Sequence, residues 1–204
     1  MLQETFIDLI SRYTSDKEVS AKLWQEIDTA FAHKKRYYHT LAHLENLLLQ
    51  LTAVKADIAD WETTLFTLFY HDIVYNVLKQ DNEEQSAMLA GERLRELHVS
   101  GESIDKCCKQ IMATKSHSIN EDNDTNLFTD ADLSILGMDW DTYYGYMQNV
   151  RKEYRIYPDI AYKPGRKKVM QHFLAMDSIY KTSYFHGKYE LQARENIARE
   201  LSML

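Results

Sequence analysis

Helix breakers are almost absent from this chain. Only 6 Gly and 2 Pro occur in 204 residues, too few for the many tight turns of a sandwich or barrel. Apolar residues recur at helical spacing instead. Leu2, Phe6, Leu9, Ile10 and Tyr13 mark a first helix. A capping box of Ser15 and Glu18 opens a second, with Val19, Leu23, Ile27, Ala30 and Phe31 on one face. Leu41, Leu44, Leu47, Leu48, Leu51 and Val54 form the stripe of a third. Asp60 reads as the N-cap of a fourth, which holds Trp61, Leu65, Leu68, Phe69 and Ile73. Further helices follow over 82–98, from about Ser103, after Pro164 and from about Tyr189, with 156–165 between as an ordered loop. The expectation is an all-α bundle of about eight to ten helices. No repeat, low-complexity tract or linker divides residues 1–204, so the chain reads as one domain.

The net charge of -7 gives no chain-wide basic footprint for a nucleic-acid polymer. The exception is 150–168, where Arg151, Lys152, Arg155, Lys163, Arg166, Lys167 and Lys168 face only Glu153 and Asp159. Cys107 and Cys108 adjoin, which argues for reduced core thiols rather than a bridge. The opening MLQETFIDLI carries Glu4 and no long apolar run, so neither a secretory signal nor a membrane span is expected, and a cytoplasmic location follows by default. The Met/Tyr-rich late helices offer either a homodimer face or a packed core.

Chemistry concentrates in four places. His71-Asp72 ends a strongly apolar run, where an ionised aspartate is costly unless paired or bound to a cation. His39 and His43 are four apart at a helix start. His117 follows Ala113-Thr114-Lys115-Ser116 and precedes a polar loop. Asp130 and Asp132 flank Ala131; Asp130 is the better helix cap and Asp132 the better ligand. Two imidazoles and two carboxylates suit a divalent transition ion, Mn, Fe, Co, Ni or Zn, with Mg as a further option. Asp72 can coordinate and also orient an attacking water.

The order His, His-Asp, Asp on successive helices resembles the HD-domain superfamily of metal-dependent phosphohydrolases. More narrowly, RYYHTLAHLENLL at 36–48, FYHDIVYN at 69–76, ATKSH at 113–117, DADLSILG at 130–137 and EYRIYPDIAYKPGR at 153–166 are similar to a bacterial family of predicted HD phosphohydrolases. The resemblance spans roughly 36–181, leaving the terminal helices as packing additions. It implies an all-helical HD-like domain and metal ligands His43, His71, Asp72 and Asp132. His39 is the alternative first ligand, or else a contact of the substrate. It also implies a substrate-facing His117.

The basic segment then gains a reading as the place where substrate phosphate is held, by Arg151, Lys163 and Arg166, with Tyr154 or Tyr162 lining the pocket. The function expected is hydrolysis of a phosphomonoester or phosphodiester of a small molecule, a nucleotide among the candidates. The alternative is an HD-like binding or regulatory module that keeps the metal and ligand pocket without useful turnover.

Overall fold

A computed structural model describes residues 1–204. The chain is all-helical. The helices are α1 (Leu2–Ser11), α2 (Lys17–Phe31), α3 (Leu41–Ala53), α4 (Trp61–Tyr70), α5 (Asn82–Glu96), α6 (Gly101–Ala113), α7 (Asn123–Asp132), α8 (Trp140–Glu153), α9 (Asp159–Ala175) and α10 (Ser183–Met203), with 3-10 turns at Lys55–Asp57 and Leu133–Gly137. No helix is long and apolar enough to cross a membrane. The chain forms two compact units, Met1–Thr129 and Asp130–Leu204. Their boundary falls inside α7, so no linker composition marks it in the sequence.

In the first unit the expected apolar stripes are buried. Phe6, Leu9 and Ile10 of α1, Leu23, Ile27 and Phe31 of α2, and Leu44, Leu47 and Leu51 of α3 are all in the core. Helix α4 is buried along its length from Thr63 to Tyr70, which makes it the central helix of this unit. Phe6 meets Phe69 edge to face, with ring centroids 4.9 Å apart. The buried Thr67 hydroxyl of α4 donates to Gln110 Oε1 of α6 at 2.6 Å, while Gln110 Nε2 and the Tyr70 hydroxyl are buried without hydrogen-bond partners. The start of α4 is fixed twice. Asp60 Oδ1 accepts from the Thr63 amide at 3.0 Å, as an N-cap should. Asp124 of α7 accepts from the amides of Ala59 and Asp60 at 2.8 and 2.9 Å and from Lys106 Nζ at 2.6 Å. Helix α2 departs from its expected cap: Asp16, not Ser15, accepts from the amides of Glu18 and Val19. The charged carboxylate sits one residue nearer the helix and is the stronger acceptor for its exposed N–H groups. The two cysteines are free, Cys107 buried and Cys108 half-buried.

The second unit is built on α10. Asn196 Nδ2 donates to the carbonyls of Leu136 and Met138, both at 2.8 Å. Tyr180, just ahead of the helix, donates its hydroxyl to the Leu133 carbonyl at 2.9 Å. Gly137 lets the 3-10 turn approach α10: a Cβ there would lie 2.5 Å from the Tyr189 Cβ and 2.7 Å from its carbonyl oxygen. Its role is space, since no glycine of the chain has a positive φ. The expected loop at 156–165 is a correction. Helix α9 already starts at Asp159, with Pro158 at the N-cap and Pro164 inside. Asp159 suits the positive end of the helix dipole, and the exposed Pro164 costs the helix a single backbone hydrogen bond. Helix α10 likewise begins at Ser183, before the Tyr189 expected from the pattern.

Candidate metal centre

Four sequence-selected residues converge within the first unit. His43 lies in the opening turn of α3, while His39 precedes the Thr40 N-cap of that helix. His71 is the C-cap of α4, and Asp72 follows it. The spacing of His39 and His43 therefore does not act through a helical face. The turn before α3 brings their ring centroids to 6.0 Å instead.

The Nε2 atoms of His43 and His71 face each other at 3.2 Å, on side chains only 3% and 1% exposed. Asp72 Oδ2 lies 3.3 Å from His71 Nε2 and 3.9 Å from the Nε2 atoms of both His43 and His39. The His71 ring is oriented from behind, with Nδ1 3.0 Å from the Leu68 carbonyl. A carbonyl only accepts, so in a neutral ring Nδ1 carries the proton and Nε2 presents its lone pair. Two ring nitrogens held at about 2.0–2.1 Å by one transition ion stand about 3 Å apart when they subtend roughly a right angle. The observed separation fits that arrangement, and the donor set of three imidazoles and a carboxylate fits the ion class.

Without an ion, burial pushes the Asp72 carboxyl up, but the His71 and His39 rings when protonated, the hydrogen bond that a protonated His71 Nε2 donates and the His43 ring outweigh it. The net effect holds the group below the usual carboxylate range, so it is ionised at neutral pH. The rings are packed by aromatic neighbours. Tyr38 lies 5.0 Å from the His43 ring, Tyr75 4.2 Å from His39 and Phe128 5.6 Å from His71, centroid to centroid.

Arg36 is the positioning residue that the sequence reading did not single out. Its buried guanidinium donates to the carbonyls of Asp72 and Ile73, both at 2.8 Å, and to the His39 carbonyl at 3.3 Å. It lies 4.6 Å from the Phe31 ring centroid. One side chain thus fastens the His39 segment to the His71-Asp72 segment. The available signal was an arginine three residues ahead of His39, inside the RYYHTLAH stretch.

His117 sits in the turn after α6 with φ 50°, in the left-handed region, its amide donating to the Ala113 carbonyl at 2.9 Å. Asp132 is the last residue of α7 and belongs to the second unit. Asp130 is buried in the last turn of the same helix rather than capping its start. Its carboxylate accepts from the amides of Lys181 and Thr182 and from the Thr182 hydroxyl, fastening the chain that leads into α10.

The basic candidates also lie in the second unit. Arg166 is buried, donating from Nε and Nη2 to Glu200 at 2.7 and 3.0 Å and from Nη1 to the Tyr146 hydroxyl at 3.1 Å. Arg151 reaches Asp159 and the carbonyls of Tyr154 and Tyr157, with its guanidinium 4.6 Å from the Tyr162 ring centroid. Tyr154 is half-buried and lies 5.9 Å from Tyr162, ring to ring. Lys163 is half-buried on α9.

Comparisons with protein-family models, with curated proteins and with solved structures find no match to this chain.

Proposed function

We propose that this chain is a metal-dependent phosphohydrolase of the HD-domain kind, acting on a small phosphorylated molecule. The observation that carries the reading is the facing pair of buried imidazole nitrogens, His43 and His71, with the Asp72 carboxylate beside them. Asp132, at the end of α7, is the fourth ligand in this proposal. The ion, one of Mn, Fe, Co, Ni or Zn, or else Mg, supplies a lowered pKa for water and a counter-charge for the phosphoryl group.

The protein's own groups do the rest. Leu68 fixes the His71 tautomer through Nδ1. Asp72 stays ionised and uses its exposed side to accept a hydrogen bond from the attacking water. His39, packed against the Tyr75 ring and one-fifth exposed, faces the substrate. His117 is proposed to contact the phosphoryl group. Of the basic residues, Arg151 and Arg166 already hold carboxylates in their own unit, so Lys163 is the first candidate for the phosphate role.

A phosphatase screen against nucleotides and sugar phosphates, with added Mn, Co, Ni or Mg, tests this reading. Metal-dependent release of phosphate that Asp72→Ala abolishes is expected. A folded, metal-loaded protein that binds such compounds and turns none over would make it a binding module instead.

A further inference from the structure

The corner between α8 and α9, inside the second unit, turns apolar and basic side chains outward together. Ile156 precedes the Pro158 N-cap and is 61% exposed, and Ile160, in the first turn of α9, is 87% exposed. A single exposed isoleucine is ordinary on a protein surface. These two stand four residues apart in the most basic segment of an acidic chain. Lys152, Arg155, Lys167 and Lys168 of that segment are all exposed. Ile160, Pro164 and Lys167 recur at helical spacing and share the outward face of α9, while Arg166, Met170 and Phe173 of the same helix are buried. The acids of the segment leave this charge standing. Glu153 is buried, and Asp159 is held by Arg151. Lys167 and Lys168 form no ion pair.

We propose that this corner is a docking surface for an anionic lipid bilayer, with Ile156 and Ile160 entering the interface and Lys152, Arg155, Lys167 and Lys168 meeting the headgroups. Charge complementarity selects an anionic partner. The apolar tip selects lipid over a nucleic-acid strand. Such a strand is gripped by exposed aromatic faces on which bases stack. Here Tyr154 packs against both Tyr157 and Tyr162, and the Arg151 guanidinium lies over the Tyr162 ring. The side chains left outward are aliphatic, which gain by leaving water for acyl chains. Neither signal suffices alone. A small apolar insertion binds weakly and reversibly, and a basic cluster adds the second anchor. No helix is long and apolar enough to cross a membrane, so contact through this corner is peripheral. The surface goes beyond the phosphohydrolase reading, does not rest on it, and leaves Lys163 to it.

The test is co-sedimentation of the full chain with vesicles of phosphatidylcholine alone and of phosphatidylcholine with one-third phosphatidylglycerol. Wild type is compared with the double variants Ile156→Ser/Ile160→Ser and Lys167→Gln/Lys168→Gln. All four positions are exposed, and thermal midpoints verify that each variant folds. The expected result is binding to the anionic vesicles, little to the neutral ones, and roughly tenfold or more weaker binding in each double variant. Absence of wild-type binding to the anionic vesicles overturns the proposal. Binding that the glutamine variant leaves unchanged overturns it as well. Binding that the serine variant leaves unchanged also overturns it, and equal affinity of wild type and serine variant for a single-stranded oligonucleotide would then make the corner a polyanion surface instead.

Discussion

Arg36 donates to the backbone carbonyl of Asp72 at 2.8 Å, although the two residues are 36 apart in sequence. The bond determines where the His-Asp pair stands relative to the turn carrying His39. Arg36→Met keeps most of the stem volume but removes three donors, stranding the carbonyls they serve. We expect a loss of about 1–3 kcal/mol in stability. Metal affinity should fall roughly 10–100-fold, as when a group that orients ligands is removed. Urea denaturation and metal titration of the same variant check the two effects.

Arg166 and Glu200 form a buried pair, 7% and 2% exposed, and the Tyr143 hydroxyl also donates to Glu200. Removing one partner of such a pair leaves an uncompensated buried charge. Arg166→Met should therefore cost about 3–5 kcal/mol, and adding Glu200→Leu should recover much of it. A double-mutant cycle by urea denaturation measures this coupling. A single variant of unchanged stability with weakened phosphate binding would instead give Arg166 the substrate role that the sequence suggested.

Glu190 accepts from the amides of Ile179 and Tyr180 at 3.0 and 3.1 Å and from Arg194 Nε at 2.6 Å. Burial raises its carboxyl, but the Tyr180 and Ile179 amides and Arg194 outweigh it, and the net shift is downward. A carboxylate lowered in the folded state adds stability that is fully present above its unfolded value, about 4.3. That stability is lost as pH falls through the lower folded value. Glu190→Gln should lose about 1–3 kcal/mol at pH 7. The gap to wild type should narrow as pH drops below about 4. Thermal midpoints across pH 2–7 record it.

Gly137→Ala places a methyl against the Tyr189 backbone. Backbone cannot swing aside as a flexible side chain can, so we expect a loss of about 1–3 kcal/mol or more. Calorimetry is the check.

Helices with regular stripes were legible from residues alone. The burial of Phe6, Leu44 and Phe69 follows from spacing, and Asp60 announced the start of α4. The irregular positions were not. Pro158, Pro164 and Gly165 suggested a loop, yet α9 runs through the last two, because local preference is weak beside packing. At the site, residue type pointed to the two histidines and Asp72, which share a point in space. Arg36 showed in the sequence only as an arginine three residues ahead of His39; its part comes from the Asp72 carbonyl, 36 residues away.

In the proposed site His43 and His71 hold one metal ion between them. Elemental analysis of purified protein, stripped and then reloaded with Mn, Co, Ni or Zn, tests it against His43→Ala and His71→Ala. About one ion per wild-type chain is expected, with loss of that ion in both variants. Wild type that takes up none of these metals while folded, or variants that retain the ion as tightly as wild type, would contradict it.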